Sequence, residues 1–177
     1  VYPEYLYRAE EGVAHRLLAL RDNVNALWKV DYQKIIREWE RDERIRLAPE
    51  QAEAVKASVD HGVFVLTGGP GTGKTTVVKG ILSVMEQAGC KILLAAPTGR
   101  AAKRLSESAG KPALTVHRLL EYTPNGEGDS FWGRNEDNPL EADAVIVDEA
   151  SMMDIVLMYN LLKALPLGCR LILVGDV

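Results

Sequence analysis

The stretch GVFVLTGGPGTGKTT, Gly62 to Thr76, sets a short apolar run directly before a glycine-rich loop and a helix-forming segment. Within it, Gly68 to Thr75 fit the phosphate-loop spacing G-x-x-x-x-G-K-[ST], a pattern that carries weight only in this strand-then-helix setting. Gly68, Gly69, Gly71 and Gly73 let the backbone wrap a phosphate chain with its N–H groups turned inward, where side chains would obstruct. Lys74 supplies a point charge for the β and γ phosphates and Thr75 a hydroxyl for magnesium. The helix starting near Gly73 adds its positive end. The expected ligands are a nucleoside triphosphate and Mg2+.

The chain has 177 residues and a formal charge of −4. That is room for one compact domain with an appendage, since domains commonly run to ~100–150 residues. The charge excludes a protein coated in positive charge but not a local basic groove, because a nucleotide-driven motor grips nucleic acid through a few backbone contacts. Cys90 and Cys169 each lie beside an expected strand without C-x-x-C spacing, and read as two reduced thiols rather than a metal or redox site. No signal-peptide pattern opens the sequence, and no apolar run approaches the ~18 residues of a spanning helix. The expectation is a cytoplasmic protein with no membrane segment.

Outward from the phosphate loop, the sequence divides into a helical N-terminal segment, 1–46, and an alternating segment, 47–177. In the first, Val24, Trp28, Tyr32, Ile35 and Trp39 recur at spacings of three and four, with interruptions near Asp22 and Asn23 and again near Asp31. This reads as two or three short amphipathic helices whose tryptophans serve either as core or as a stacking surface for bases. In the second, Gly62 to Leu66, Lys91 to Ala96, Ala144 to Val147 and Arg170 to Val174 are short and rich in Val, Ile and Leu, as strands covered on both faces must be. Helices over Lys74 to Ala88, Gly99 to Ser108 and Asp154 to Leu165 separate most of them. The fold class is therefore α/β, a parallel sheet with flanking helices and ligands at the carboxyl ends of the strands. The polar stretch Tyr122 to Glu141 reads as an irregular excursion or a small hairpin around Phe131 and Trp132.

Two further elements carry chemistry. In VIVDEAS, Val145 to Ser151, a buried strand ends in two adjacent carboxylates, which is costly unless they hold a cation or do work. Asp148 is suited to hold magnesium through water, opposite Thr75, and Glu149 to polarise the water that attacks the γ phosphate. A kinase must keep water from that phosphate, so the pair favours hydrolysis. In LAAPTGRAA, Leu94 to Ala102, Pro97 keeps Ala96 extended, Thr98 can cap a helix start, and Gly99 leaves room for a close approach. A second helix start on the sheet edge that already holds the phosphate loop suits a different phosphate, such as one in a nucleic-acid backbone.

The order and spacing of LTGGPGTGKTT (Leu66 to Thr76), APTGRAAKRLSE (Ala96 to Glu107), TVHRLL (Thr115 to Leu120), NPL (Asn138 to Leu140), DEASMMD (Asp148 to Asp154) and LVGD (Leu173 to Asp176) resemble the motifs of RecD-like DNA helicases of superfamily 1, the family of the exodeoxyribonuclease V alpha subunit and its stand-alone relatives. Tyr5 to Leu20 also looks like the stretch before the motor in the stand-alone branch. The resemblance implies a RecA-like motor domain that uses ATP to move 5′ to 3′ on single-stranded DNA. It implies that Thr72 and Thr76 join the phosphate loop, that Gln51 reads adenine through its amide, and that Asp176 senses the γ phosphate. It further implies that Thr98, Gly99 and Arg100 touch the DNA backbone, with His117 near the same path. A protein partner for the N-terminal helices is left open.

The resemblance breaks off at Val177 within its last motif, where the family continues to a glutamine and then to a second motor domain that supplies arginines across the nucleotide. An arginine finger is worth ~10³ to 10⁵ in rate. The expectation is a piece of a helicase holding most of the first motor domain, binding ATP weakly and unwinding nothing by itself. A P-loop ATPase unrelated to DNA and a nucleotide-dependent docking module are the competing readings. DNA stimulation of hydrolysis separates the first of these from a motor, and the effect of Glu149→Gln separates the second.

Overall fold

The computed structural model describes residues 2–27, 30–124 and 130–176. At its centre, five strands form one all-parallel sheet in the order β1-β7-β6-β2-β3. These are β1 (Val63–Thr67), β2 (Ile92–Ala96), β3 (Ala113–Thr115), β6 (Ala144–Val147) and β7 (Arg170–Gly175). A separate antiparallel hairpin pairs β4 (Tyr122–Pro124) with β5 (Ser130–Trp132). Four of the five sheet strands match the apolar runs to within a residue, and the hairpin falls where the polar stretch carries Phe131 and Trp132. Asn125, Gly126 and Gly128 of that stretch lie outside the described residues, as does Trp28.

The sheet is buried from both sides because its strands alternate. Ile146, Ile172 and Val174 point into one apolar core with Val55, Ile81 and Met85. Val145, Val147 and Leu171 point into a second core with Leu161 and Leu162. Period-two alternation with apolar residues on both faces is what a sheet between two helical layers demands. The first layer holds α3 (Pro49–Asp60), α4 (Lys74–Gln87) and α5 (Gly99–Ala109). The second holds the four-residue α6 (Val116–Leu119) and α7 (Ile155–Ala164).

The N-terminal helices join both layers. Helix α1 (Glu4–Asp22) packs on α7 and sends Leu20 into the second core; α2 (Tyr32–Glu43) packs on α4 and sends Ile35 into the first. Gly62, at the entry to β1, lets α1 approach this closely, since a Cβ there would lie 2.0 Å from the carbonyl oxygen of Leu20. The apolar stripe of the N-terminal segment does not run through one helix. Asp31 caps α2 by accepting from the Lys34 amide at 3.0 Å, leaving Tyr32, Ile35 and Trp39 on its inner face and Val24 in the preceding loop. Trp39 packs against the first core, as the core reading of that residue requires.

Below the sheet, Arg170 is 2% exposed at the start of β7. Its Nε donates to the Val59 carbonyl at 2.8 Å and its Nη2 to the Asn25 carbonyl at 2.5 Å, so one side chain ties α3 and the α1–α2 loop to the sheet. Among the described residues no helix is long and apolar enough to cross a membrane.

Both cysteines are free. Burial pushes the Cys169 thiol up to about 12, with Asp143 adding and Arg170 opposing. At pH 8 the native protein should therefore resist iodoacetamide at Cys169 and react there only once unfolded, which peptide mass spectrometry reads directly. The unfolded thiol titrates near 9.0. Between that value and about 12 the unfolded chain has lost a proton that the folded chain keeps, so this group makes stability decline as pH rises through that window.

Candidate functional site

Every sheet strand ends at the same edge, and four of the motif groups sit there in spatial order: the phosphate loop after β1, Asp176 after β7, Asp148 and Glu149 after β6, and Thr98 to Arg100 after β2. His117 follows β3 on α6, completing the row. The registers Leu66 with Val174, Val147 with Leu173, Ala95 with Val147 and Ala96 with Thr115 bring these ends side by side.

The first part of the row is a cleft of about 430 Å³ lined by Gly71, Gly73, Lys74, Thr75, Asp148, Glu149 and Asp176, among others. Lys74 Nζ donates to the Gly68 carbonyl at 2.5 Å, to the Gly69 carbonyl at 3.1 Å and to Asp176 Oδ1 at 2.6 Å. The loop backbone and the end of β7 thus converge on one ammonium. Gly73 caps α4 in the left-handed region at φ 85°, and a Cβ there would lie 2.2 Å from Gln51 Nε2. Glycine is required at this position for conformation and for space. Gln51 sits beside the loop. Its Nε2 donates to the Thr72 carbonyl at 3.4 Å and its Oε1 accepts from the Ala48 amide at 3.0 Å, so backbone groups engage both ends of the amide. Thr72 Oγ1 donates to the Gly69 carbonyl at 2.8 Å, tightening the loop, and Thr76 is half-buried in the first turn of α4.

Asp148 leaves β6 with its amide bonded to the Ala95 carbonyl and its Oδ1 accepting from the Glu149 amide at 2.9 Å. Glu149 has φ 54°, a left-handed conformation that a non-glycine residue adopts at a cost of ~1–3 kcal/mol, and such strain gathers at functional sites. The donor set is one of hard oxygens: a threonine hydroxyl and carboxylates near the loop. Among the described residues no three His, Cys, Asp or Glu side chains form a metal cluster. The threonine hydroxyl and carboxylates fit magnesium, which takes one or two protein oxygens and completes its octahedron with phosphates and water. The loop, Lys74 and this oxygen set together fit a magnesium-bound triphosphate.

A residue that the sequence reading passed over also faces the cleft. Arg104, on α5, places Nη2 3.4 Å from Glu149 Oε1. Only its membership of an exposed helical face was readable, because the partner lies far along the sequence, after β6.

The second part of the row is built differently. Thr98 caps α5, its Oγ1 accepting from the Ala101 amide at 3.2 Å. Gly99 faces open space, and Arg100 is exposed with no ion-pair partner among the described residues. These three do not line the cleft at Lys74. His117 is exposed, and its ring lies on Trp132 at 5.8 Å and edge-on to Tyr122 at 5.3 Å. It holds the β4–β5 hairpin at the end of the row.

The AAA domain model matches residues 51–177, from Gln51 through the whole sheet. The chain belongs to the AAA domain family. Within it the chain is RecD-like: it is 48% identical over 130 residues to the ATP-dependent RecD2 DNA helicase of Deinococcus radiodurans, covering 73% of the chain and 18% of that protein. It is 36% identical to the RecBCD enzyme subunit RecD of Mycobacterium tuberculosis, covering 99% of the chain and 32% of that protein. A crystal structure of a Bacteroides Pif1 helicase in complex with ADP-AlF3 and ssDNA superposes at a TM-score of 0.51 and 28% identity, covering 75% of this chain and 32% of that one. The chain thus spans a third or less of the length of these relatives.

Proposed function

We propose that this AAA domain is the ATP-binding motor part of a cytoplasmic 5′-to-3′ DNA helicase that couples ATP hydrolysis to movement along single-stranded DNA. The observation that carries the reading is a pair of unlike features on one sheet edge. One is a cleft built around Lys74, Asp148 and Glu149; the other is an open helix start at Thr98, Gly99 and Arg100 that the cleft does not use.

Bound ATP with magnesium supplies the scissile γ phosphate. Lys74 neutralises charge on the β and γ phosphates, and Gly69 to Thr76 wrap the chain with backbone N–H groups. Thr75 and Asp148 hold the metal, Glu149 orients and polarises water, and Gln51 sets the base beside the loop. Asp176, already on Lys74, reports whether the γ phosphate is present. Thr98, Gly99 and Arg100 grip the DNA backbone, with His117 and its hairpin farther along the path. The Deinococcus relative, named as an ATP-dependent DNA helicase, and the Pif1 complex, named as holding an ATP analogue and ssDNA, support this assignment.

Hydrolysis by the full-length protein should rise when single-stranded oligonucleotide is added. An unstimulated rate would return the chain to the class of P-loop ATPases that do not act on DNA. Arg100→Ala should raise the DNA concentration needed for half-stimulation on every sequence tested and lower the salt slope of binding by about 1, since a phosphate contact carries no base information. A loss confined to some sequences would remove Arg100 from the backbone.

A further inference from the structure

We infer that Arg104 restrains Glu149 while DNA is not bound, and that α5 carries the signal by which DNA engagement lifts the restraint. This rests on the motor reading above. Arg100 and Arg104 stand four residues apart on one helix, so they share a side of α5 about 6 Å apart along its axis. Arg100 is on the turn that opens to DNA. Arg104 reaches into the nucleotide cleft and pairs with Glu149 Oε1 at 3.4 Å.

Glu149 is the group that must present a free carboxylate oxygen to water. In this arrangement a guanidinium occupies one of its oxygens, and the left-handed backbone at Glu149 limits how else the carboxylate can turn. The side chains are 63% and 30% exposed, so the pair is a weak latch. A weak latch is what a switch requires, because one phosphate contact at the start of α5 can overcome it. Helix α5 transmits as a rigid body: Ala101, Ala102 and Leu105 are buried against its neighbours, and Thr98 caps its first turn. A small shift of the helix start toward a phosphate therefore moves Arg104 relative to Glu149. Arg104 is a positioning residue, acting on hydrolysis through Glu149.

The test is ATP hydrolysis by the full-length protein and its Arg104→Ala and Arg104→Lys variants, each with and without saturating single-stranded DNA. Arg104→Ala should raise the DNA-free rate about two- to fivefold, the population shift that an exposed ion pair controls, and leave the DNA-saturated rate unchanged. Arg104→Lys, which keeps the charge, should retain most of the low DNA-free rate. A DNA-free rate in Arg104→Ala equal to wild type overturns the restraint. A parallel fall of both rates also overturns it, since Arg104 would then act on the nucleotide itself. The DNA-free rates judge the latch whether or not DNA stimulates; wild-type stimulation judges the motor reading separately.

Discussion

On the motor reading proposed above, Lys74→Ala in the full-length protein should abolish measurable ATP hydrolysis and, with it, strand separation. The ammonium sits where the Gly68 and Gly69 carbonyls and Asp176 converge, and no other lysine or arginine among the described residues reaches those three groups. Truncation removes a positive charge aimed at the phosphate chain and leaves two loop carbonyls and a carboxylate facing one another across the cleft. Loss of one preorganised donor to a developing anion costs ~10²–10³ in rate, and a charged clamp at the head of a phosphate loop stands at the upper end of that range or above it. The fall should be seen in steady-state phosphate release with folding intact by circular dichroism, because the side chain lies at the surface of the core. Retained unwinding by this variant would show that the loop is not where the triphosphate is held.

The second large effect concerns stability. Arg170→Ala should destabilise the domain by about 3–5 kcal/mol, from the loss of two charge-assisted hydrogen bonds at ~1.5–3 kcal/mol each. For a domain of this size that is a fall in Tm of about 8–16 °C. Burial is the main influence on the Arg170 guanidinium, drawing its pKa below the ordinary arginine value, while the thiols and Asp60 and Asp143 oppose that shift. The charge is held in place by its fit. Arg170→Lys keeps the charge but has one nitrogen where two directions are needed, at Val59 and at Asn25, and should fall between wild type and Ala. Thermal unfolding followed by circular dichroism checks both. A shift under about 3 °C for Arg170→Ala would mean that the N-terminal loop is not fastened to the sheet through this residue.

The parts of this molecule that are legible without coordinates are those whose cause is local. Ala144 to Val147 read as a buried strand because all four residues are apolar in a run bounded by polar ones, and all four are buried. The phosphate loop reads from its glycines, because two of them take positive φ where other residues pay strain. Strand β3 was not legible: Ala113–Thr115 is three residues long, follows Pro112 and leaves Leu114 41% exposed. It is a strand only because β2 offers its edge at Ala96 opposite Thr115. Arg104 and Arg170 escaped for the same reason. Each does its work across a distance in sequence, with Glu149 in one case and with Val59 and Asn25 in the other, and no spacing rule encodes such a meeting. His117 was readable as a motif member, but its stacking on Trp132 depends on a hairpin that folds back from the far side of a polar excursion.

Strand β1 carries the phosphate loop, yet in the sheet its hydrogen-bonded neighbour is β7, far downstream in the sequence. Val63 cannot find Leu171 until β2, β3, β6 and the helices between them have been made. Pairing of such distant segments is slow, since loop closure is paid for before any contact returns it. During synthesis, therefore, α3 and α4 are made, and can pack on each other, before β1 has its neighbour. The strand that steadies the glycine loop is thus a late arrival, so that a nascent or clipped chain lacking β7 carries the full phosphate-loop sequence with no strand beside β1 to support it.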